Sequence, residues 1–451
     1  MARRGRGHVF LHLAAARSGS RRHGLAMSDF APFSFVHCAD LHLDSPFEGV
    51  HAAAPNIAAV PREATFRALD RVIDLAITEQ VDFIIVAGDV HDGENRSLRA
   101  QLRFRDALRQ AGEAGIPSFI AHGNHDPLSG WEAHLAMPAM VTRFGGQGVE
   151  CFPVQRHGAT LAHIYGLSYP VREVRANLAP QFRRQPEAPF AIGVLHCNVG
   201  GDPNHDNYAP CGLEDLAAAG MDYWALGHIH ARKILRNQEP WVVYPGNTQG
   251  RNWREMGPRG CYLVRVDAAR CLTPTFVATD VVRWFRHDLD IGVLSTWDDL
   301  LDALDRVREE VRIAAEGRAA ILRFNLVGRG ELHRELAGRI DLERDLAEPL
   351  RDGEAERPDF VWVEAVRHRT RPPLDLDQRR LVQDFVGDFL NAAQRLRAQE
   401  TPGAALREVL HQRPEHRVIA AALEQLAEAD LLAILGDAEI LGVDQLLPEE
   451  D

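Results

Sequence analysis

Five apolar runs in this chain each stop at residues able to bind a metal ion, and that repetition most restricts how it can fold. The stops are Asp40-Leu-His42, Gly88-Asp89, Gly123-Asn124-His125-Asp126, His196, and Gly227-His228-Ile-His230. Before the first three lie strand-like runs at Phe33–Cys38, Val81–Ala87 and Ile116–Ala121. Between them, Thr65–Thr78 and Ser97–Ala114 have helical periodicity, the second opened by Ser97 as an N-cap. A β-α-β-α-β order predicts a parallel sheet with right-handed crossovers. Ligands of such sheets gather beyond the carboxyl ends of the strands, so Asp40, Asp89 and Asn124 are expected at one edge.

A second series follows, with strands expected at Thr160–Tyr165, Phe190–His196, Tyr223–Leu226, Trp241–Tyr244 and Gly260–Val266. Only Leu213–Ala219 reads as helix among them, which predicts a second, mixed sheet. Composition shifts near Val281–Leu289. Thr296–Val311 then reads as an amphipathic helix, and Ala319–Val327 and Phe360–Val366 as strands, together a small α+β unit. A linker with Pro372-Pro373 leads into a helical remainder from about Leu376. Residues 401–451 hold three Arg against eleven acids, a solvated helical face or a docking surface.

The ligand types are oxygen and nitrogen, with no thiolate, which suits Mn, Fe or Zn. In an extended segment Asp-x-His and His-x-His each place two ligands on one side. The inventory is Asp40, His42, Asp89, Asn124, His196, His228 and His230. A bridging Asp89 would give each of two cations four protein ligands. Two cations about 3.5–4 Å apart can activate water and clamp both oxygens of an in-line displacement. His125, beside Asn124, is assigned to transition-state stabilisation or leaving-group protonation, with Asp126 fixing its tautomer. His37, His91, His122, His163 and His205 are read as structural.

The net charge of −13 repels nucleic acid in bulk. A phosphate substrate must therefore be drawn by metals and by local arginines; Arg251 and Arg254 lie just past a strand end. No apolar run is long enough to span a bilayer. Six cysteines without a Cys-x-x-Cys pair indicate neither a disulfide framework nor a zinc knuckle, and a reducing cytoplasm is expected. Residues 1–27 hold several arginines and no acid, and are expected to be a disordered or non-native extension, with Met27 an alternative start.

Taken in order, these motifs resemble those of the calcineurin-like metallophosphoesterase superfamily over roughly residues 33–265. Phe35-Val-His-Cys-Ala-Asp-Leu-His-Leu-Asp-Ser-Pro-Phe47, Gly88-Asp-Val-His-Asp-Gly-Glu-Asn-Arg-Ser97 and Tyr244-Pro-Gly-Asn-Thr-Gln-Gly-Arg251 resemble the SbcD-like DNA repair exonucleases, in their YhaO branch. The resemblance implies an α/β fold with a four-layer α-β-β-α core, here 28–285. It implies a small α+β capping domain at 286–370 and a helical C-terminal region at 371–451 for partner docking. It also implies Mn²⁺-dependent phosphodiester hydrolysis of DNA, an SbcC-type coiled-coil ATPase subunit as partner, and a homodimer. By position, Asp40, His42, Asp89 and His230 would hold one metal, and Asp89, Asn124, His196 and His228 the other. The chain departs from nuclease relatives at His91, where an aromatic is frequent, and at Asp92, where some carry His. Two other functions use the same residues: a phosphodiesterase for a small nucleotide, and a non-catalytic scaffold with a vestigial site. Gly-Asp-x-x-Asp-Gly and Gly-Asn-His-Asp depart from the motifs expected of protein serine/threonine phosphatases.

Overall fold

A computed structural model describes residues 30–47, 55–92, 97–130, 135–202, 206–399, 404 and 428–446. The N-terminal extension, His205 and most of 401–427 lie outside the described residues. The chain divides between Arg283 and Trp284 into two compact units.

In the first unit, β1 (Phe33–Cys38), β2 (Phe83–Ala87), β3 (Ser118–Ala121) and β4 (Val141–Arg143) run parallel. β11 (Gly260–Val266) and β12 (Leu272–Ala278) add antiparallel strands in the order β12-β11-β1-β2-β3-β4. Helices α1 (Pro55–Thr78) and α2 (Leu98–Glu113) are the crossovers. Ser97 caps α2, its hydroxyl accepting from the Ala100 N–H at 3.0 Å. The second sheet joins β5 (Glu150–Arg156), β6 (Ala159–Leu167), β7 (Ala191–His196), β8 (Tyr223–Gly227), β9 (Lys233–Arg236) and β10 (Trp241–Tyr244). Its order is β5-β6-β7-β8-β10-β9, parallel from β6 to β10 with antiparallel edges, hence mixed.

The period-two alternation of strand side chains builds the layers. Phe33 and Phe35 of β1 face a core shared with Ile192 and Val194 of β7 and Tyr223 and Ala225 of β8. Val36 and Cys38 face the opposite way, against Phe66, Leu69 and Ile73 of α1 and Phe104 and Leu108 of α2. A third cluster covers the far side of the second sheet, with Leu195, Trp224 and Leu226 packed on Phe182 and on Leu216 of α3 (Leu213–Ala218). The result is the α-β-β-α stack.

The second unit centres on β13 (Val282–Asp290), β14 (Ala319–Val327) and β15 (Val361–His368), with β14 and β15 parallel. Helix α4 (Trp297–Ala314) starts with a Thr296/Asp299 capping box. Its Leu300, Leu304 and Val307 pack on β14 together with Leu346 and Leu350 of a helix at Leu342–Arg351. The described helices of the C-terminal region, at Leu376–Arg380, Phe385–Arg397 and Glu428–Leu446, lie in the same compact unit as β14 and β15. Asp444 pairs with Arg329 just past β14 and with Arg371. No helix among the described residues is long and apolar enough to cross a membrane.

Candidate metal centre

The loops after β1 and β2 are zipped together by backbone bonds from Asp40 N to Gly88 O and from His42 N to Asp89 O, both 3.0 Å. That zipper holds Asp40, His42 and Asp89 at positive φ (52°, 42° and 51°), where non-glycine residues are rarely found. Close packing dictates the neighbouring glycines. A Cβ on Gly88, itself at φ 93°, would sit 2.3 Å from His196 Nδ1, and one on Gly123 would sit 2.3 Å from Asp89 Oδ1. The glycines let the His196 ring slide in beside the Asp89 carboxylate.

All seven expected ligands converge at this edge. Asp40, His42, Asp89, Asn124, His196 and His228 are buried, and His230 is half-buried. Ligand atoms of Asp40, His42 and His230 lie within 4.8 Å of one another, as do those of Asp40, Asp89 and His196. Asp89 Oδ2 stands between the groups, 3.2 Å from His196 Nε2 and 3.8 Å from His42 Nε2. Asn124 Oδ1 lies 3.1 Å from His196 Nε2 and 3.2 Å from His228 Nδ1.

Proton placement tests whether cations fit. Each of the four histidines has an oxygen acceptor on its outer nitrogen. His42 Nδ1 meets Asp92 Oδ1 at 2.8 Å, and His230 Nδ1 meets Glu255 Oε1 at 2.7 Å. His196 Nδ1 meets Ala87 O at 2.9 Å, and His228 Nε2 meets Asp206 O at 2.7 Å. In the neutral rings those nitrogens carry the protons, so the inner nitrogens present lone pairs. Yet His42 Nε2 and His230 Nε2 face each other at 3.1 Å. His196 Nε2 faces the Asn124 carbonyl and the Asp89 carboxylate, a position that calls for a proton or a metal cation. Lone pairs pointed at lone pairs at such distances repel unless a cation lies among them. The donor set thus fits two divalent cations.

The field agrees. Burial lowers His42 to about 4, with Arg251 adding to the effect. Burial also opposes charging of His196, but Asp89 and Asp40 outweigh it and raise that ring to about 9 in the absence of metal. Burial raises the Asp40 carboxyl, and Asp89 raises it further, while His196 and His230 pull it down. Divalent charge supplies what these buried carboxylates lack.

His125 is more open. Its side chain is 37% exposed, and its Nδ1 lies 2.9 Å from Asp92 Oδ1. Its backbone N–H donates to Asp89 Oδ1 at 2.9 Å. Burial works against protonation of this ring, but the Asp92 hydrogen bond and Asp89 raise it overall. The expectation that Asp126 fixes the His125 tautomer is corrected here. Asp126 accepts from the backbone N–H groups of Asp89, Val90 and Gly123 at 3.2, 3.1 and 2.8 Å, and meets His122 Nδ1 at 3.1 Å. Asp126 lies four positions after His122, and its carboxylate bonds back to the start of its own loop and to the loop after β2.

Sequence reasoning left Asp92 without a role and missed Glu255. Asp92 gathers the Nδ1 protons of His42 and His125 and the Ser45 hydroxyl. Glu255 gathers His230, the Arg251 N–H at 2.8 Å and the Asn247 amide at 2.9 Å. The sequence signal for Asp92 was its fixed place in Gly88-Asp-x-x-Asp. Glu255 carries no such signal, since it lies just past the Tyr244–Arg251 stretch and outside every ligand motif. Among the other histidines, His37 lies between the sheets, bonded to the Tyr223 hydroxyl at 2.9 Å, and His163 meets Gln185.

Family models match on both sides of the division at Arg283. The one described as calcineurin-like phosphoesterase covers residues 33–232, and the one described as metallophosphoesterase YhaO, middle domain, covers 284–371. An uncharacterized metallophosphoesterase YhaO of Bacillus subtilis (strain 168) is 38% identical over 331 residues, 73% of this chain and 80% of that protein. The DNA double-strand break repair protein Mre11 of Aeropyrum pernix is 28% identical over 47% of this chain and 52% of its own length. That of Haloferax volcanii is 27% identical over 66% of this chain and 62% of its own length. The chain thus spans less than two thirds of either Mre11 protein.

Proposed function

The chain belongs to the calcineurin-like metallophosphoesterases, in their YhaO branch, and from that membership we propose that it is a two-metal phosphodiesterase that cuts DNA. It would serve as the nuclease subunit of a cytoplasmic DNA repair complex with an SbcC-type coiled-coil ATPase. Residues 286–370 would act as the cap that shapes access to DNA. The helices beyond them would form the ATPase contact, and two copies would pair. The likeness to Mre11 proteins supports the DNA substrate. The observation that carries the chemistry is the set of inward lone pairs, each ring locked by an outer acceptor.

Asp40, His42, Asp89 and His230 would hold one cation and Asp89, Asn124, His196 and His228 the other, with Mn²⁺ our choice over Fe or Zn. Bound there, the cations would activate water and withdraw charge from the phosphate oxygens. Asp92 holds the proton on His125 Nδ1, which fixes the tautomer and steadies the ring when it is charged. His125 Nε2 is then the nitrogen that delivers a proton to the departing sugar oxygen. The raised proton affinity of His125 suits that acid role near neutral pH. Asp126 is assigned to shaping the β2 loop and not to proton transfer.

The test is Mn²⁺-dependent cleavage of end-labelled linear duplex DNA, beside a generic small phosphodiester, with His125→Ala as control. Release of short products that vanishes in the variant is the expected outcome. Hydrolysis of the small ester with DNA left intact would replace DNA by a small nucleotide as substrate.

A further inference from the structure

Two arginines follow β10 in one loop, and they face different surroundings. Arg254 is exposed, its guanidinium 5.5 Å from the centre of the Trp253 ring. Arg251 has a side chain only 15% exposed, and its terminal nitrogens stand between the two carboxylates that orient the metal-centre histidines. They lie 3.8 Å from Asp92 Oδ2 and 3.6 Å from Glu255 Oε1, ion-pair range but too long for hydrogen bonds. The buried Arg251 Nε has no hydrogen-bond partner among the described residues. Arg259 Nε is likewise without a partner among the described residues, but its terminal Nη1 is committed to the His230 carbonyl and the Asn247 side chain. Arg251 is therefore a guanidinium held at the centre by charge, with its donors unspent among the described residues.

Such a group needs an acceptor, and the charge balance says which. Asp40, Asp89, Asp92 and Glu255 supply four negative charges, which two divalent cations would neutralise. Arg251, with Arg259 and a protonated His125, then leaves the centre positive, which favours the negative charge of a phosphodiester. A planar guanidinium also presents paired N–H groups to paired phosphate oxygens.

We propose that Arg251 binds the non-bridging oxygens of the substrate phosphodiester, an inference that rests on the phosphoesterase reading above. Arg251 is a substrate-binding residue, and the carboxylates beside it hold it ready without consuming its donors. A purely structural role would make it a clamp on Asp92 and Glu255, and hence on the metal ligands His42 and His230.

The experiment is calorimetric titration of inorganic phosphate into the Mn²⁺-loaded full chain, for the parent, Arg251→Gln and Arg251→Lys. Bound Mn²⁺ and Tm are measured on the same samples. Loss of a charged hydrogen-bonded pair predicts roughly ten-fold or greater weakening of phosphate binding in Arg251→Gln. Arg251→Lys should fall between the two, with metal content and Tm held in both. Where DNA is cleaved, KM should rise more than kcat falls. Unchanged phosphate affinity, or no phosphate binding by the parent, overturns the proposal. So does loss of Mn²⁺ from Arg251→Gln, which would make the residue a clamp. Arg251-dependent phosphate binding without DNA cleavage would sink the DNA reading alone, and DNA cleavage with phosphate binding indifferent to Arg251 would sink this proposal alone.

Discussion

The same strands build two regions of opposite character. Between the sheets, Phe35, Phe83, Ile192 and Tyr223 form a dry core, with Phe35 and Phe83 stacked at 4.9 Å. A few residues further along the chain the strands end at Asp40, Asp89, His196 and His228, buried polar groups on backbone held at positive φ or pressed against glycines. The core gains stability from burial, at about 25 cal/mol per Å² of apolar surface. The rim concentrates like charges and opposed lone pairs, which favour cations and disfavour the metal-free fold. Stability and chemistry are thus separated along each strand by only a few residues. Substitutions in the two regions should fail in different ways.

The largest effect is expected at the rim. Asp89→Ala removes the carboxylate whose Oδ2 lies 3.2 Å from His196 Nε2 and 3.8 Å from His42 Nε2, so both metals should be lost and turnover should fall to background. Metal analysis showing one retained ion would break the bridging assignment. His125→Ala should keep both metals yet lose about 10²–10⁴-fold in kcat, the usual worth of a positioned acid. Neither variant should lower the melting temperature of the chelator-treated protein by much. Phe35→Ala should do the reverse. It should cost about 3–5 kcal/mol of stability as a large core truncation. Activity per folded molecule should stay near the parent's. If Phe35→Ala instead crippled kcat at a temperature where it is folded, core and rim would be coupled and the separation wrong.

This division also explains what could be read in advance. Central strands such as β2 and β7 are uninterrupted apolar runs because both of their faces are covered, and their polar stops announced the rim. Strands β4, β5, β9 and β12 went unread, and they are the four edges of the two sheets. Edge strands need only half a pattern and tolerate proline, as at Pro153 in β5 and Pro274 in β12. Inside the site, the ligands were legible because geometry demands those residue types at strand ends. Which carboxylate meets which ring was not legible, since Asp126 adjoins His125 in sequence while the carboxylate that reaches its ring, Asp92, comes from the separate loop after β2. That choice is testable. Asp92→Asn should lower kcat or metal affinity by about 10–100-fold, as loss of an orienting carboxylate does. A variant within two-fold of the parent, on roughly that same scale of effect, would return the role to another group.

The subtlest prediction concerns a polar residue that lies in the core and not in the rim. His37 sits on β1, fully buried, with Nδ1 2.9 Å from the Tyr223 hydroxyl and Nε2 3.2 Å from the Leu226 carbonyl. Burial lowers its pKa to about 3, only partly offset by the Leu226 bond, against an ordinary 6.5. The folded chain therefore keeps His37 neutral where the unfolded chain protonates it. The stability that comes from this neutral ring is fully present above about pH 6.5. As pH falls from 6.5 toward 3 the unfolded state binds the extra proton, and stability is lost at about 1.4 kcal/mol per pH unit. His37→Gln can keep a hydrogen bond to Tyr223 but cannot titrate. Its stability should decline less steeply than the parent's between pH 6.5 and 5, measured by urea unfolding of the metal-free proteins. The other ionisable groups are common to both proteins, so the difference in slope isolates this ring. Equal slopes would mean that water reaches His37, and that the space between the sheets is less dry than the packing of Phe35 and Tyr223 around it implies.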